Sequence, residues 1–166
     1  MEEKQQIEFK YFLEKFPELE LPITLGEESH HIFSQNNEPL PSAMVEQFLA
    51  PLEEDPVDEL TEFVTCFSLP DTKKFHAVVY WKAGLLNYQY RLVTFDLQGK
   101  LVDHKVIAGT HADDGVITLS VATIKEDWLI IIVSGQTYAD PKATSDPTSS
   151  TANRLAIGTE GKIVNL

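Results

Sequence analysis

The chain has 166 residues, of which 43% are hydrophobic and 23% are charged; this composition is typical of one folded domain and excludes global disorder. Its single cysteine, Cys66, excludes an internal disulfide and any zinc site that is built on paired cysteines. The net charge of −13 belongs entirely to residues 1–62, whose sixteen acidic residues and three lysines would repel nucleic acid and anionic membranes and attract a basic protein. A solvated acidic face that only aids solubility is the alternative explanation.

The first residues, MEEKQQIEFK, lack the basic and apolar regions of a secretory signal. The longest aliphatic run, at residues 129–133, is far shorter than the roughly 20 apolar residues that a membrane span needs. We therefore expect a soluble cytoplasmic protein without a membrane partner.

The first amphipathic pattern lies near the N terminus. Four aromatic and aliphatic residues have the i, i+3, i+4, i+7 spacing: Phe9, Phe12, Leu13 and Phe16. This spacing predicts a helix over residues 4–16 that ends before Pro17. In the next segment, LELPITL, apolar residues alternate around Pro22, and this pattern predicts an extended chain.

Two further helices are predicted before residue 62. Thr24 and Glu27 have the spacing of a capping box, which indicates a short helix through GEESHHIF. A second amphipathic helix, from Pro41 to Pro51, places Phe48 and Leu49 on one side. We expect the apolar faces of the two amphipathic helices to pack on a sheet.

From residue 62 the periodicity changes from 3.6 to 2 residues, which indicates strands. The strands are predicted at residues 62–69, 74–82, 87–96, 100–108, 116–124, 127–138, 152–158 and 161–165. Their short connections, such as LQGK and TEGK, allow only antiparallel neighbours and so predict a meander. In VITLSVATI, Ile117, Leu119 and Val121 share one face, and we expect a sheet with one buried face.

The predicted fold is a single α+β domain over residues 1–166. An acidic helical part, residues 1–61, precedes an antiparallel sheet of seven or eight strands, residues 62–166. A twisted sheet of this size curls into a half-barrel or splits into a sandwich, and the two N-terminal helices would cover it. The polar segment between the last long strands predicts a mobile loop over residues 139–151.

No nucleotide-binding, hydrolase, zinc-protease or C-x-x-C motif occurs, so no cofactor is expected. The segment THADDG is the most site-like cluster, because His111, Asp113 and Asp114 could bind a metal or form an acid–base pair. The same residues are typical of a turn, and we favour the turn.

The remaining reactive side chains have structural interpretations. Cys66 lies in the apolar run FVTCFSL and is expected to be a buried thiol. His104, between two valines on one strand face, is expected to be hydrogen-bonded and partly buried. His30 and His31 are adjacent, cannot easily bind one metal together, and are expected to form a surface pair.

The segment VYWKAGLLNYQYRL contains the best binding candidates. Its predicted hairpin tip is apolar and has aromatic residues beneath it, which is typical of a contact surface. The candidate residues are Trp81, Leu85, Leu86, Asn87, Tyr88 and Tyr90. Closure of the core by the same residues is the alternative.

Three functions remain open. The first is a non-enzymatic protein-interaction module, for example an acidic antagonist of a basic protein. The second is a small-ligand or carbohydrate binder in which the aromatic residues stack on the ligand and Asn87, Gln89 or Arg91 supplies polar contacts. The third is a hydrolase or metal enzyme centred on His111.

Overall fold

The computed structural model describes residues 6–54, 56–84, 87–138 and 149–166. Its helices are α1 (Phe9–Glu14), α2 (Ser29–Asn36) and α3 (Ser42–Met44), and α3 continues as a π-helical turn (Val45–Leu49) and a 3₁₀ turn (Ala50–Leu52). All three predicted helices are present, although α1 is shorter than predicted. No helix in the described part of the chain is long and apolar enough to cross a membrane.

The described residues form nine strands in one antiparallel sheet. The strands are β1 (Ile23–Leu25), β2 (Glu62–Ser68), β3 (His76–Ala83), β4 (Asn87–Phe95), β5 (Leu101–Asp113), β6 (Val116–Ile124), β7 (Leu129–Tyr138), β8 (Ser149–Ile157) and β9 (Ile163–Asn165). Strands β2 to β9 are neighbours in chain order, which confirms the meander and the α+β fold. The extended segment before α2 adds β1, a ninth strand that the sequence did not predict and that pairs with β6.

Two strand boundaries differ from the prediction by three residues or more, and the others differ by two residues at most. β5 extends to Asp113 instead of residue 108, since most of the predicted turn continues the ladder. β8 begins at Ser149, so that residues 149–151 of the predicted loop belong to a strand paired with β7. The rest of that loop, residues 139–148, lies outside the described residues.

The sheet is covered on both faces at β3 and β4. On one face, α1 and the α3 segment bury a cluster that includes Phe12, Phe16 and Leu49, with Phe9, Leu13 and Phe48 packed beside it. This confirms the predicted packing of the helical faces against the sheet. On the other face, the sheet's own strands β5 to β8 pack against β2 to β4. This second cover agrees with the expectation that a sheet of this size curls or splits.

The buried face of β6 differs from the expectation. Ala122 and Ile124 are fully buried, whereas Ile117, Leu119 and Val121 are only partly buried. Ala122 and Ile124 belong to the opposite set of alternating residues, and β1 pairs beside them at this end of the strand. The face of β6 that points to the core is therefore the one that carries Thr118 and Ser120 as well as Ala122 and Ile124.

The sheet curls because β5 changes partners along its length. Its first part pairs only with β4, residues 109–111 pair with both β4 and β6, and residues 112–113 pair only with β6. Gly109 has a φ of 144°, and a Cβ atom added there would overlap the carbonyl oxygen of Tyr88. Only glycine fits this bend, because L-residues rarely adopt such a φ and no space exists for a side chain.

We predict that Gly109→Ala lowers the free energy of unfolding by about 3 kcal/mol, from backbone strain and the clash with Tyr88. Urea denaturation measures the loss. Gly135→Ala in β7 is the control, since its Cβ would meet no atom within 4 Å, and it should change stability by less than about 0.5 kcal/mol. Equal stability of the two variants would refute the proposed role of Gly109.

A buried polar network ties the helical layer to the sheet. The Glu53 side chain, which follows the 3₁₀ turn, is 2% exposed. It accepts hydrogen bonds from the Tyr80 hydroxyl at 2.7 Å and from Lys82 Nζ at 2.8 Å, and Arg91 Nη2 lies at 3.5 Å. Burial and the neighbouring Glu53 carboxylate raise the pKa of Tyr80, so Tyr80 acts as a donor in this network. Arg91 Nη1 also donates to His104 Nδ1 at 2.8 Å.

We predict that Glu53→Gln costs about 3 kcal/mol of stability, because it leaves two buried cations without a carboxylate. Glu54→Gln, at the exposed neighbouring position, removes the same charge and should cost less than about 0.5 kcal/mol. The comparison uses urea midpoints at pH 7. A neutral effect of Glu53→Gln would mean that the network does not anchor the helical layer.

Candidate functional site

An aromatic pocket lies between the start of α2 and strands β3 to β5. Its volume is about 240 Å³. Aromatic and acidic residues dominate its wall, which is formed by Glu27, Glu28, His30, Trp81, Tyr88 and Tyr90 together with the β5 backbone at residues 109–110. Three of the six candidate binding residues therefore converge on one cavity.

The rings form a column. The His30 ring lies parallel to Trp81, with centroids 4.0 Å apart and planes at 2°. Tyr88 lies nearly parallel to Trp81 at 5.8 Å, and the His31 ring follows His30 at 4.0 Å. Trp81 is buried, whereas Tyr88 is 48% exposed. The buried indole of Trp81 thus contacts both His30 and Tyr88, while the rings of Tyr88 and His31 are accessible from solvent.

Hydrogen bonds hold α2 at both ends. Before the helix, the Tyr90 hydroxyl donates to the Gly26 carbonyl at 3.0 Å, and the Gly26 amide donates to Ser29 Oγ at 2.9 Å. After the helix, Asn37 Nδ2 donates to the carbonyls of Thr65 and Cys66 in β2, at 2.7 and 2.9 Å. These contacts fix His30 above Trp81, although α2 itself has no fully buried residue.

The pocket combines acidic side chains at its wall with a histidine whose pKa is lowered. Burial, followed by the adjacent His31, lowers the pKa of His30, which favours the uncharged ring in the stack. His31 Nε2 lies 3.0 Å from Glu28 Oε2 on the exposed side. Glu27 and Glu28 are exposed and supply negative charge at the wall of the cavity.

Some candidate residues lie elsewhere. Asn87 accepts a hydrogen bond from His111 Nδ1 and is not part of the pocket wall. Arg91 belongs to the Glu53 network, and Gln89 lines a separate groove. Leu85 and Leu86 lie outside the described residues, so the protein-interaction surface proposed around them stays a prediction.

The His30–His31 expectation was wrong for one residue. His31 is exposed, but His30 is partly buried and stacked on Trp81. Glu27 and Glu28 were also missed as pocket residues. No sequence pattern near Glu27, Glu28 or His30 indicates a pocket, because these residues reach the aromatic side chains only when α2 docks on β3 and β4.

The THADDG segment is a strand end followed by a turn. His111 and Asp113 belong to β5, and only Asp114 and Gly115 form the hairpin loop, with φ angles of 47° and 76°. Positive φ at both loop positions is typical of a type I′ turn. Within the described ranges, no three His, Cys, Asp or Glu side chains are grouped to hold a metal ion. The structure gives the metal-enzyme hypothesis no support.

Two other side chains match their expectations. Cys66 is fully buried, and burial raises the pKa of its thiol, which keeps it protonated. His104 is partly buried, and its Nδ1 accepts from Arg91. Since a guanidinium only donates, the proton of the neutral His104 ring is on Nε2.

Comparisons with models of protein families, with curated proteins and with solved structures give no match to this chain. The chemistry of the pocket therefore stands on its own geometry. That geometry combines aromatic walls, an acidic edge and a histidine whose pKa is lowered.

We predict that His30 titrates below the ordinary histidine pKa of about 6.5. Its pKa is depressed in the folded state, so the unfolded chain takes up its proton first as the pH falls. The stability that neutral His30 contributes is therefore complete well above pH 6.5 and is lost as the pH decreases below that value. The ring proton shift of His30, followed by NMR from pH 8 to 4, gives the midpoint.

His30→Phe keeps a stacking ring but cannot titrate. The difference in free energy of unfolding between wild type and this variant should be constant above about pH 7.5. At lower pH the wild type should lose stability relative to the variant. A His30 midpoint at or above 6.5, or a pH-independent difference, would contradict the prediction.

Proposed function

We propose that this protein is a non-enzymatic binding module whose aromatic pocket takes a small organic cation. The observation that carries the proposal is the meeting of Trp81, Tyr88 and Tyr90 with Glu27 and Glu28 around one cavity of about 240 Å³. The faces of aromatic rings attract cations, and carboxylates at the edge strengthen that attraction.

The size and charge of the site both favour such a ligand. Drug-sized ligands occupy cavities of roughly 300–1,000 Å³, so this pocket suits a compact group such as a trimethylammonium head. Among the described residues the pocket wall contains no lysine or arginine, and the lowered pKa of its histidine favours the neutral ring. The net negative charge that residues 1–62 carry in the sequence would also speed the approach of a cation to the protein.

Binding can be followed by tryptophan fluorescence in a Trp128→Phe background, which leaves Trp81 as the single tryptophan. Choline is the cationic probe, and 3,3-dimethyl-1-butanol is a neutral probe of nearly the same shape. We expect choline to change the Trp81 emission and to bind about tenfold more tightly than the alcohol, since only the cation gains from the ring quadrupole and the carboxylates.

Tyr88→Ala should weaken choline binding by about tenfold, because it removes the accessible ring. Tyr11→Ala is the matched control: Tyr11 is 47% exposed, compared with 48% for Tyr88, and lies on α1. Glu27→Gln should also weaken binding, and more at low salt than at high salt. Equal affinity for choline and the alcohol, or an unchanged affinity in Tyr88→Ala, would exclude the proposal.

A further inference from the structure

A second cavity, of about 700 Å³, lies where the curled sheet leaves a gap between β5 and strands β6 to β9. We call it the polar groove. Side chains that line it include Lys105, Thr118, Ser120, Ser134, Asn153 and Asn165. Apolar residues of the core, among them Ile132 and Leu155, form part of the same wall.

The groove is a continuation of the buried face of the sheet. On β6, Ala122 and Ile124 are in the core, and Ser120 and Thr118 follow on the same face at spacings of two residues. On β7, Ser134 follows the buried Ile132 in the same way. Polar residues at core-facing positions need hydrogen-bond partners, and here they face an open cavity.

The hydroxyl groups form a connected floor. Ser120 Oγ and Ser134 Oγ lie 2.7 Å apart across the β6–β7 pair. Asn153 pairs with Ile132 in the ladder and therefore presents its amide on the same face of the sheet. Hydroxyls and amides that both donate and accept match the alternating donors and acceptors of a polyhydroxylated molecule.

The charged side chains of the residues that line the groove in the described chain belong to Lys105 and Arg154. None of its lining residues in the described chain is aspartate or glutamate. Lys105 Nζ donates to Asn165 Oδ1 at 3.2 Å, which joins β5 to β9 across the gap. Among the described residues the partly buried Lys105 makes no ion pair, and its ammonium bonds the neutral side-chain amide of Asn165 at an exposed position.

From these observations we infer that the polar groove is a second binding site, which takes a small hydroxylated organic anion. The anionic group, a carboxylate or a phosphate, lies at Lys105, and the hydroxyl groups bind Ser120, Ser134 and Asn153. The groove adjoins the proposed cation pocket, since Tyr88 and residues 109–110 belong to the walls of both, but Lys105, Ser120, Ser134 and Asn153 line only the groove.

Four probes separate the contributions of charge and hydroxyl groups. Gluconate and glucose 6-phosphate carry both, glucose carries only hydroxyls, and inorganic phosphate carries only charge. Titration of ¹⁵N-labelled protein should show that gluconate or glucose 6-phosphate shifts the amides of Ser120, Ser134 and Asn153. We expect the hydroxylated anion that binds, gluconate or glucose 6-phosphate, to bind about tenfold or more tightly than glucose or inorganic phosphate. Only the hydroxylated anion makes both the charged hydrogen bond to Lys105 and the neutral hydrogen bonds to the serine and asparagine side chains.

Lys105→Gln should weaken this binding by about tenfold, while Lys100→Gln, which removes the same charge in the exposed β4–β5 turn, should leave it unchanged. Ser134→Ala removes one of the two paired hydroxyls and should also weaken binding of the hydroxylated anion. This variant decides the outcome if Lys105→Gln does not fold. The inference is overturned if neither hydroxylated anion binds, if glucose or phosphate alone binds as tightly, or if neither folded groove variant weakens binding. Choline affinity in Lys105→Gln reports the aromatic pocket separately, so failure at one site is distinguishable from failure at the other.

Discussion

The bend of β5 at Gly109 is the constraint on which the rest of the structure depends. An antiparallel meander of eight strands can remain open and flat only if each strand keeps the same two neighbours along its length. Here β5 leaves β6 at Gly109, and β1 takes the vacated edge of β6. The second half of the sheet then folds over the first and encloses the larger core.

The same bend creates both cavities. β9 returns to β5, where the Ile163 amide donates to Asp103 Oδ2 at 2.9 Å, but the strands between them stay apart along the polar groove. On the other side of the bend, the ends of β3 and β4 project beneath α2 and form the aromatic pocket. Gly109 lies in the wall of each. A single backbone position thus lies between the aromatic pocket and the polar groove.

The candidate site was predictable only in part. An aromatic-rich strand pair beside a short turn identified Trp81, Tyr88 and Tyr90, because strand alternation places them on one face without knowledge of the fold. The acidic and histidine side of the pocket could not be found in this way. Glu27, Glu28 and His30 are more than 50 residues away in sequence, and a tertiary hydrogen bond from Tyr90 to Gly26 brings their helix to the strands.

The sequence by itself determined the helices before residue 62 and the order and antiparallel pairing of strands β2 to β9, because periodicity and turn residues act over a few neighbouring positions. It also determined that Cys66 is a buried thiol and that Asp114 and Gly115 form a turn. Only the tertiary structure decided which face of β6 is buried, since residues 117–121 offer an apolar face that alternation alone would bury. The curl of the sheet instead buries the opposite face of β6. It packs Ala122 and Ile124 against distant strands and leaves Ser120, on the same face, beside an open groove. Burial is a property of the whole folded chain, and local patterns cannot fix it where both faces of a strand can be accommodated.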